Sequence, residues 1–184
     1  MEEPEVPLET VHEDIHHHAE HARERWVLGV ALTSAVLAAL AAVASLLAGH
    51  HANEAVIGQL AASDQWGYYQ AKGVKAAVLG SKMELLQALG RPNDPKDEEK
   101  LKRYADEQAE IQRSAKETQA DAARHLGTHT VFARGVTMFQ VAIAVAAISV
   151  LTRRRWFWLV SIAFGLVGVG FLIQGWVSAG RPLS

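Results

Sequence analysis

The chain has 184 residues, is 49 % hydrophobic, carries a formal net charge of -2 and contains no cysteine. The missing thiols exclude disulfides, thiolate metal sites and cysteine nucleophiles, and near neutrality without a basic face argues against strong nucleic-acid binding. A mean hydropathy of +0.04 is the average of very apolar and very polar segments, so residue order carries the information that the total hides.

Residues 1–25 are acidic, with Glu2, Glu3, Glu5, Glu9, Glu13, Asp14, Glu20 and Glu24 against Arg23 and Arg25. Leu8, Val11, Ile15 and Ala22 form a sparse stripe at helical spacing, which predicts a helix. An acidic helix is repelled by an anionic leaflet, so it is expected to contact another helix or a protein partner. His12 with His16 and His17 with His21 stand four apart, the spacing at which two imidazoles can share one divalent metal, with Glu13 or Asp14 adding oxygen. The competing expectation is a solvated histidine face that changes charge near neutral pH.

Residues 26–49 form an uncharged apolar run, long enough to cross a hydrocarbon core of about 30 Å as a helix. It is too long for the core of a cleaved secretory signal, and the segment before it is acidic rather than basic. It is therefore expected to be the first transmembrane helix.

Residues 50–134 are polar and read as an antiparallel helical hairpin. No proline occurs from Ala52 to Leu89, and Gly90-Arg91-Pro92-Asn93-Asp94-Pro95 supplies a helix stop, a turn and a helix start. Each arm of roughly 40 residues spans about 60 Å at the helical rise, a stalk in its proportions. Heptad spacing places Ile57, Leu60, Asp64, Gly67, Ala71, Val74, Val78, Ser81 and Leu85 on one seam of the outward arm. The return arm offers Leu101, Tyr104, Gln108, Ile111, Ala115, Thr118, Ala122, His125 and His129. Small residues on both seams permit close approach but bury little area, so further copies of the chain are expected to cover the remaining apolar surface. Asp64, Gln65, Trp66, Tyr68, Tyr69, Gln70 and Lys72 form the densest polar and aromatic cluster. Asp64, Tyr68 and Lys72 fall at four-residue intervals as a ladder on one face. Trp66 lies roughly 25 Å beyond the first span, too far for a ring at headgroup depth. It is expected either to pack between helices or to dock a partner. Near the membrane end, His50, His125 and His129 are expected to approach one another. They read as a polar cap on the seam or, in the sharper alternative, as a cation site or proton relay.

Residues 135–152 and 156–180 are two further uncharged apolar runs, joined by Arg153, Arg154 and Arg155. No Asp, Glu, Lys, Arg or His lies at depth in the three spans, which disfavours active transport. Gln140 and Gln174 are expected about 8–9 Å below the outer boundary, as an intramembrane polar contact. Ala31, Ala35 and Ala39, with the pairs Ser161/Gly165 and Gly175/Ala179, offer small-residue faces for tight helix packing. Short arginine-rich flanks stay in the cytoplasm, so the amino terminus is expected inside and the hairpin and carboxyl terminus outside. The expected fold is thus all-α: an integral membrane protein with three transmembrane helices and a long extracytoplasmic hairpin between the first and second.

Three segments, HHHAEHARERW (His16 to Trp26), SLLAGHHANEA (Ser45 to Ala55) and SDQWGYYQAKGVK (Ser63 to Lys75), give the chain a family likeness. It resembles a group of bacterial inner-membrane proteins, the domain of unknown function 4337 family. The resemblance implies this topology, a bacterial inner-membrane location and a family-like motif running from Asp64 to Lys72. It supplies no activity. No nucleophile–base constellation, phosphate loop or zinc-hydrolase helix is present, and Glu98 and Glu99 suit an exposed helix start. The expectation is a non-enzymatic, homo-oligomeric membrane protein without a cofactor, whose periplasmic stalk mediates assembly or docks a periplasmic or membrane protein. The alternative is an oligomeric channel or cation-sensing protein that uses the histidine clusters with a divalent metal.

Overall fold

The computed structural model describes residues 8–180, with side chains described from residue 25 onward. Three helices make up this region: α1 (Leu8–Ala88), α2 (Pro95–Thr152) and α3 (Arg155–Ala179). There is no strand among the described residues. Each helix contains a stretch long and apolar enough to cross a membrane.

The breaks follow from local chemistry. Beyond Ala88 the chain reaches Gly90, at φ +68, a left-handed conformation that glycine adopts without a Cβ clash. Arg91 N–H donates to Leu86 O at 2.9 Å and Gly90 N–H to Gln87 O at 3.0 Å, the pair of bonds that closes a Schellman motif over the last helical carbonyls. Asp94 opens α2: its Oδ1 accepts the Lys96 N–H at 2.9 Å, Pro95 takes the first helical position, and Asp97 and Glu98 place negative charge in the first turn. Between α2 and α3 the chain turns through Arg153, at φ 56, and Arg154, which is extended.

The described residues divide into two compact units, one formed by residues 8–47 together with 131–180, the other by Ala48–Thr130. In the first unit, Leu37 and Ala44 of α1 pack with Phe139 and Ala142 of α2. Helix α3 presents Ser161, Gly165, Gly168 and Gly175 on its buried face. A Cβ placed on Gly168 would stand 2.7 Å from the Phe139 ring, and one on Gly175 2.6 Å from the Phe132 ring. Both rings are fully buried, so the glycines are the recesses that receive them, the small-residue packing expected between membrane helices. Ser161 Oγ donates to Ala142 O at 2.7 Å, and Trp158 Nε1 donates to Thr33 Oγ1 at 3.1 Å.

Two sequence expectations about this unit are corrected. Ala31, Ala35 and Ala39 are exposed; α1 packs instead through Val30, Leu37 and Ala44, with Leu37 filling the space at Gly165 of α3 and Ala44 meeting Phe139 and Ala142 of α2. Gln140 and Gln174 are also both exposed, without a hydrogen bond between them. Each stands one residue from its helix's packed face, beside Phe139 and Gly175 respectively, a rotation of about 100° that turns the amide outward.

Candidate functional site

The unit Ala48–Thr130 contains the motif residues and the second histidine group. Its contacts pair α1 with α2 in opposite directions: His51 meets His125, Gly58 meets Ala122, Lys72 meets Glu107 and Lys82 meets Asp97. On α2 the inward positions are Asp97, Leu101, Tyr104, Gln108, Ile111, Ala115, Thr118, Ala122, His125 and His129, all buried or half-buried. On α1 they are His51, Ala55, Gly58, Ala62, Gln65, Tyr69, Lys72, Ala76, Leu79, Met83 and Leu86. Both sets alternate steps of three and four, the spacing that keeps one seam facing a partner helix.

The α1 seam differs from the one expected from sequence. Ile57, Leu60, Asp64, Gly67, Ala71, Val74, Val78, Ser81 and Leu85 are all exposed. The physical reason is backbone approach and charge pairing. A Cβ on Gly58 would stand 3.0 Å from the Ala122 Cβ, and one on Gly73 2.9 Å from Gln108 Nε2, so α2 lies against the glycine-bearing face. Gln108 Nε2 donates to the Tyr69 carbonyl at 3.3 Å. Lys82 Nζ reaches the buried Asp97 at 2.6 Å, and that bond holds the Lys82 ammonium above its ordinary range.

This packing splits the motif. Gln65, Trp66, Tyr69 and Lys72 are half-buried, whereas Asp64, Tyr68 and Gln70 are exposed. Trp66 and Tyr69 meet edge to face, with centroids 5.6 Å apart. Lys72 pairs with Glu107 of α2, and its ammonium lies 5.2 Å from the Tyr68 ring centroid and 5.3 Å from that of Tyr104. The hydrogen bond to Glu107 raises the Lys72 pKa, and the same bond lowers that of Glu107. Along the expected ladder Lys72 stacks on Tyr68, and the carboxylate that Lys72 pairs with is Glu107 of α2. Gln65 Oε1 is buried without a hydrogen-bond partner.

Of the histidines expected to approach one another, His125 meets His51, which sequence spacing left out of the group, and no direct contact joins His50, His125 and His129. His51 Nδ1 lies 2.9 Å from His125 Nδ1, and His50 stands edge-on to His51 at 5.3 Å. His129 Nδ1 donates to the Ala48 carbonyl at 2.9 Å. A nitrogen-to-nitrogen bond needs a donor and an acceptor, so one imidazole of the His51–His125 pair must be neutral. Burial, then the neighbouring His125, pushes the His51 pKa down. No group of three or more His, Cys, Asp or Glu positioned to hold a metal occurs among the described residues. His12, His16, His17 and His21 lie outside the residues whose side chains are described.

The most extensive unpartnered feature of this unit is the outer face of α1. Ile57, Leu60, Val74, Val78 and Leu85 are 59–66 % exposed. The outer face of α2 bears Lys102, Arg103, Asp106, Glu110, Arg113, Lys116 and Glu117. Beside Val74 and Val78 a groove of about 330 Å³ is floored by Leu79 and Tyr104 and edged by Lys82 and Lys100.

A family model described as Domain of unknown function (DUF4337) matches residues 26–178. No curated protein and no solved structure matches the chain.

Proposed function

We propose that this chain, which belongs to the DUF4337 family, is a non-enzymatic protein of the bacterial inner membrane whose helical pair mediates assembly. In this reading residues 26–49, 135–152 and 156–180 span the bilayer. Arg153, Arg154 and Arg155 remain cytoplasmic, and residues 50–134 project into the periplasm as an antiparallel hairpin. Support for the orientation comes from the arginine corner and from Trp26, Trp156 and Trp158 at the same level of the sequence pattern.

The observation that carries the assembly role is the outer face of α1 in the Ala48–Thr130 unit, where large aliphatic side chains stand exposed in two groups, Ile57 with Leu60 and Val74 with Val78 and Leu85, on either side of Asp64, Gly67 and Ala71. Scattered apolar residues on a surface are ordinary, but large aliphatic side chains grouped on one helix face mark a protein contact. The test has two parts, both on the full chain. An impermeant thiol reagent should label Asn93→Cys from the periplasmic side; protection there overturns the orientation. The mass of the protein in lipid nanodiscs should correspond to more than one 20.0 kDa copy; a single copy overturns the assembly role. Conductance in planar bilayers would favour the channel reading instead.

A further inference from the structure

We infer that the open stripe of α1 from Ile57 to Leu85 is a contact between two copies of this chain, packed α1 against α1, parallel and in register. The inference rests on the membrane-anchored reading above and names the partner for the surface that reading leaves open.

Three observations identify the occupant. First, α1 in this unit carries two heptad stripes. The stripe through Ala55, Gly58, Ala62 and Tyr69 is taken by α2, while the stripe through Ile57, Leu60, Val74, Val78 and Leu85 is exposed throughout. In heptad terms the two are offset by two positions, and at Val74 and Val78 the open stripe borders the groove shared with Lys100 and Tyr104 of α2. A helix with this spacing fits a partner helix with the same 3.5-residue period, and an identical copy supplies one. The outer face of α2, with its charged residues, does not.

Second, membrane anchoring sets polarity and height. Copies held by the same spans in one bilayer point the same way at the same level, so each position of the stripe meets its own counterpart across a twofold axis, an isologous contact. Gly67 and Ala71 sit near the middle of the stripe, and a Cβ on Gly67 would meet nothing within 4 Å. Small residues there let the two helices come close.

Third, the area suffices. Ile57, Leu60, Val74, Val78 and Leu85 of the stripe, with Val56, Tyr68 and Leu89 on its flanks, are each more than half exposed. Covering them removes on the order of 500–1,000 Å² per copy, bracketing the roughly 800 Å² per partner of a stable interface. Asp64 is the one charged residue of the stripe. In register it faces Asp64 of the other copy, a like-charge contact that weakens the pair.

Single-cysteine variants of the full chain test this directly, because the native sequence has no cysteine. In lipid vesicles under mild oxidation, Val74→Cys and Val78→Cys should form same-residue disulfide dimers, and Ala109→Cys on the outer face of α2 should not. Asp64→Leu should tighten association about tenfold. Equal cross-linking at all three sites indicates random collision and overturns the inference. So does Asp64→Leu weakening association, which would point to a basic partner protein. A multiple-copy mass without cross-links at Val74 or Val78 overturns this contact while leaving the assembly reading standing; a single-copy mass overturns both.

Discussion

The two helices of the Ala48–Thr130 unit contribute alike to their shared seam and differ on their outer faces. Inward, each presents a mixture of small and larger side chains with a few charges that find partners, as Lys72 with Glu107 and Lys82 with Asp97 do. Outward, α2 presents alternating charge and α1 presents aliphatic side chains. The return helix is an ordinary amphipathic helix with one buried stripe. The outward helix has two stripes, and the pair within one chain satisfies only the less apolar of them. Hydropathy alone therefore does not decide which face of a helix pairs first; backbone approach and charge matching do.

The largest effect expected from breaking this contrast is on association. Val74→Glu with Val78→Glu puts charge where aliphatic side chains are covered, at a cost of about 3 kcal/mol or more, a hundredfold or greater weakening of the complex. Under dilute conditions where both proteins are dissociated, the thermal stability of the helical pair should change by less than about 0.5 kcal/mol, because both positions are exposed within one copy. Ala109→Glu on the outer face of α2 should alter neither quantity. Analytical ultracentrifugation in detergent and circular-dichroism melting separate the two readouts.

A smaller effect distinguishes the glycines. Gly58→Val forces a side chain against Ala122 and should destabilise the pair by about 1–3 kcal/mol through overpacking. In the dissociated Val74→Glu/Val78→Glu background, Gly67→Ala should instead stabilise the helix by up to about 1 kcal/mol, since nothing lies within reach of the added methyl. Equal outcomes at the two positions would erase the distinction between packed and open faces.

The smallest expected effect is a two-stage acid response. His51 has its pKa lowered from the ordinary 6.5, so the unfolded chain binds its proton first. Its contribution to stability is complete above about pH 6.5 and is lost as pH falls through the lower folded value. Glu107 has its pKa lowered from 4.5, so its contribution is complete above that value and is lost below it. In a melting series His51→Gln should flatten the first stage and Glu107→Gln the second. A response unchanged by either variant would show that other groups govern it.

Much of the architecture is legible in the residues themselves. The uncharged runs mark the apolar stretches of all three helices, and Gly90 through Pro95 spell the break between α1 and α2. The inward face of α2 from Leu101 to His129 follows from its heptad spacing, because its opposite face is plainly charged. The inward face of α1 could not be read in the same way. Two stripes of equal period compete there, and the apolar one carrying Ile57, Leu60, Val74 and Val78 is the stronger signal. The decision depends on what α2 brings opposite each position: Ala122 against Gly58, Gln108 against Gly73, and Glu107 against Lys72. His51 was hidden for a related reason, since its role depends on the rotation of α1 that brings it to His125.

Solvent accessibility of single spin labels on the intact protein in liposomes tests the central contrast most directly. A label at Val78 should be shielded from a water-soluble relaxation agent while a label at Arg113 is freely reached, and Val74→Glu introduced beside the first label should expose it. Equal access at Val78 and Arg113 in the assembled protein would contradict the account.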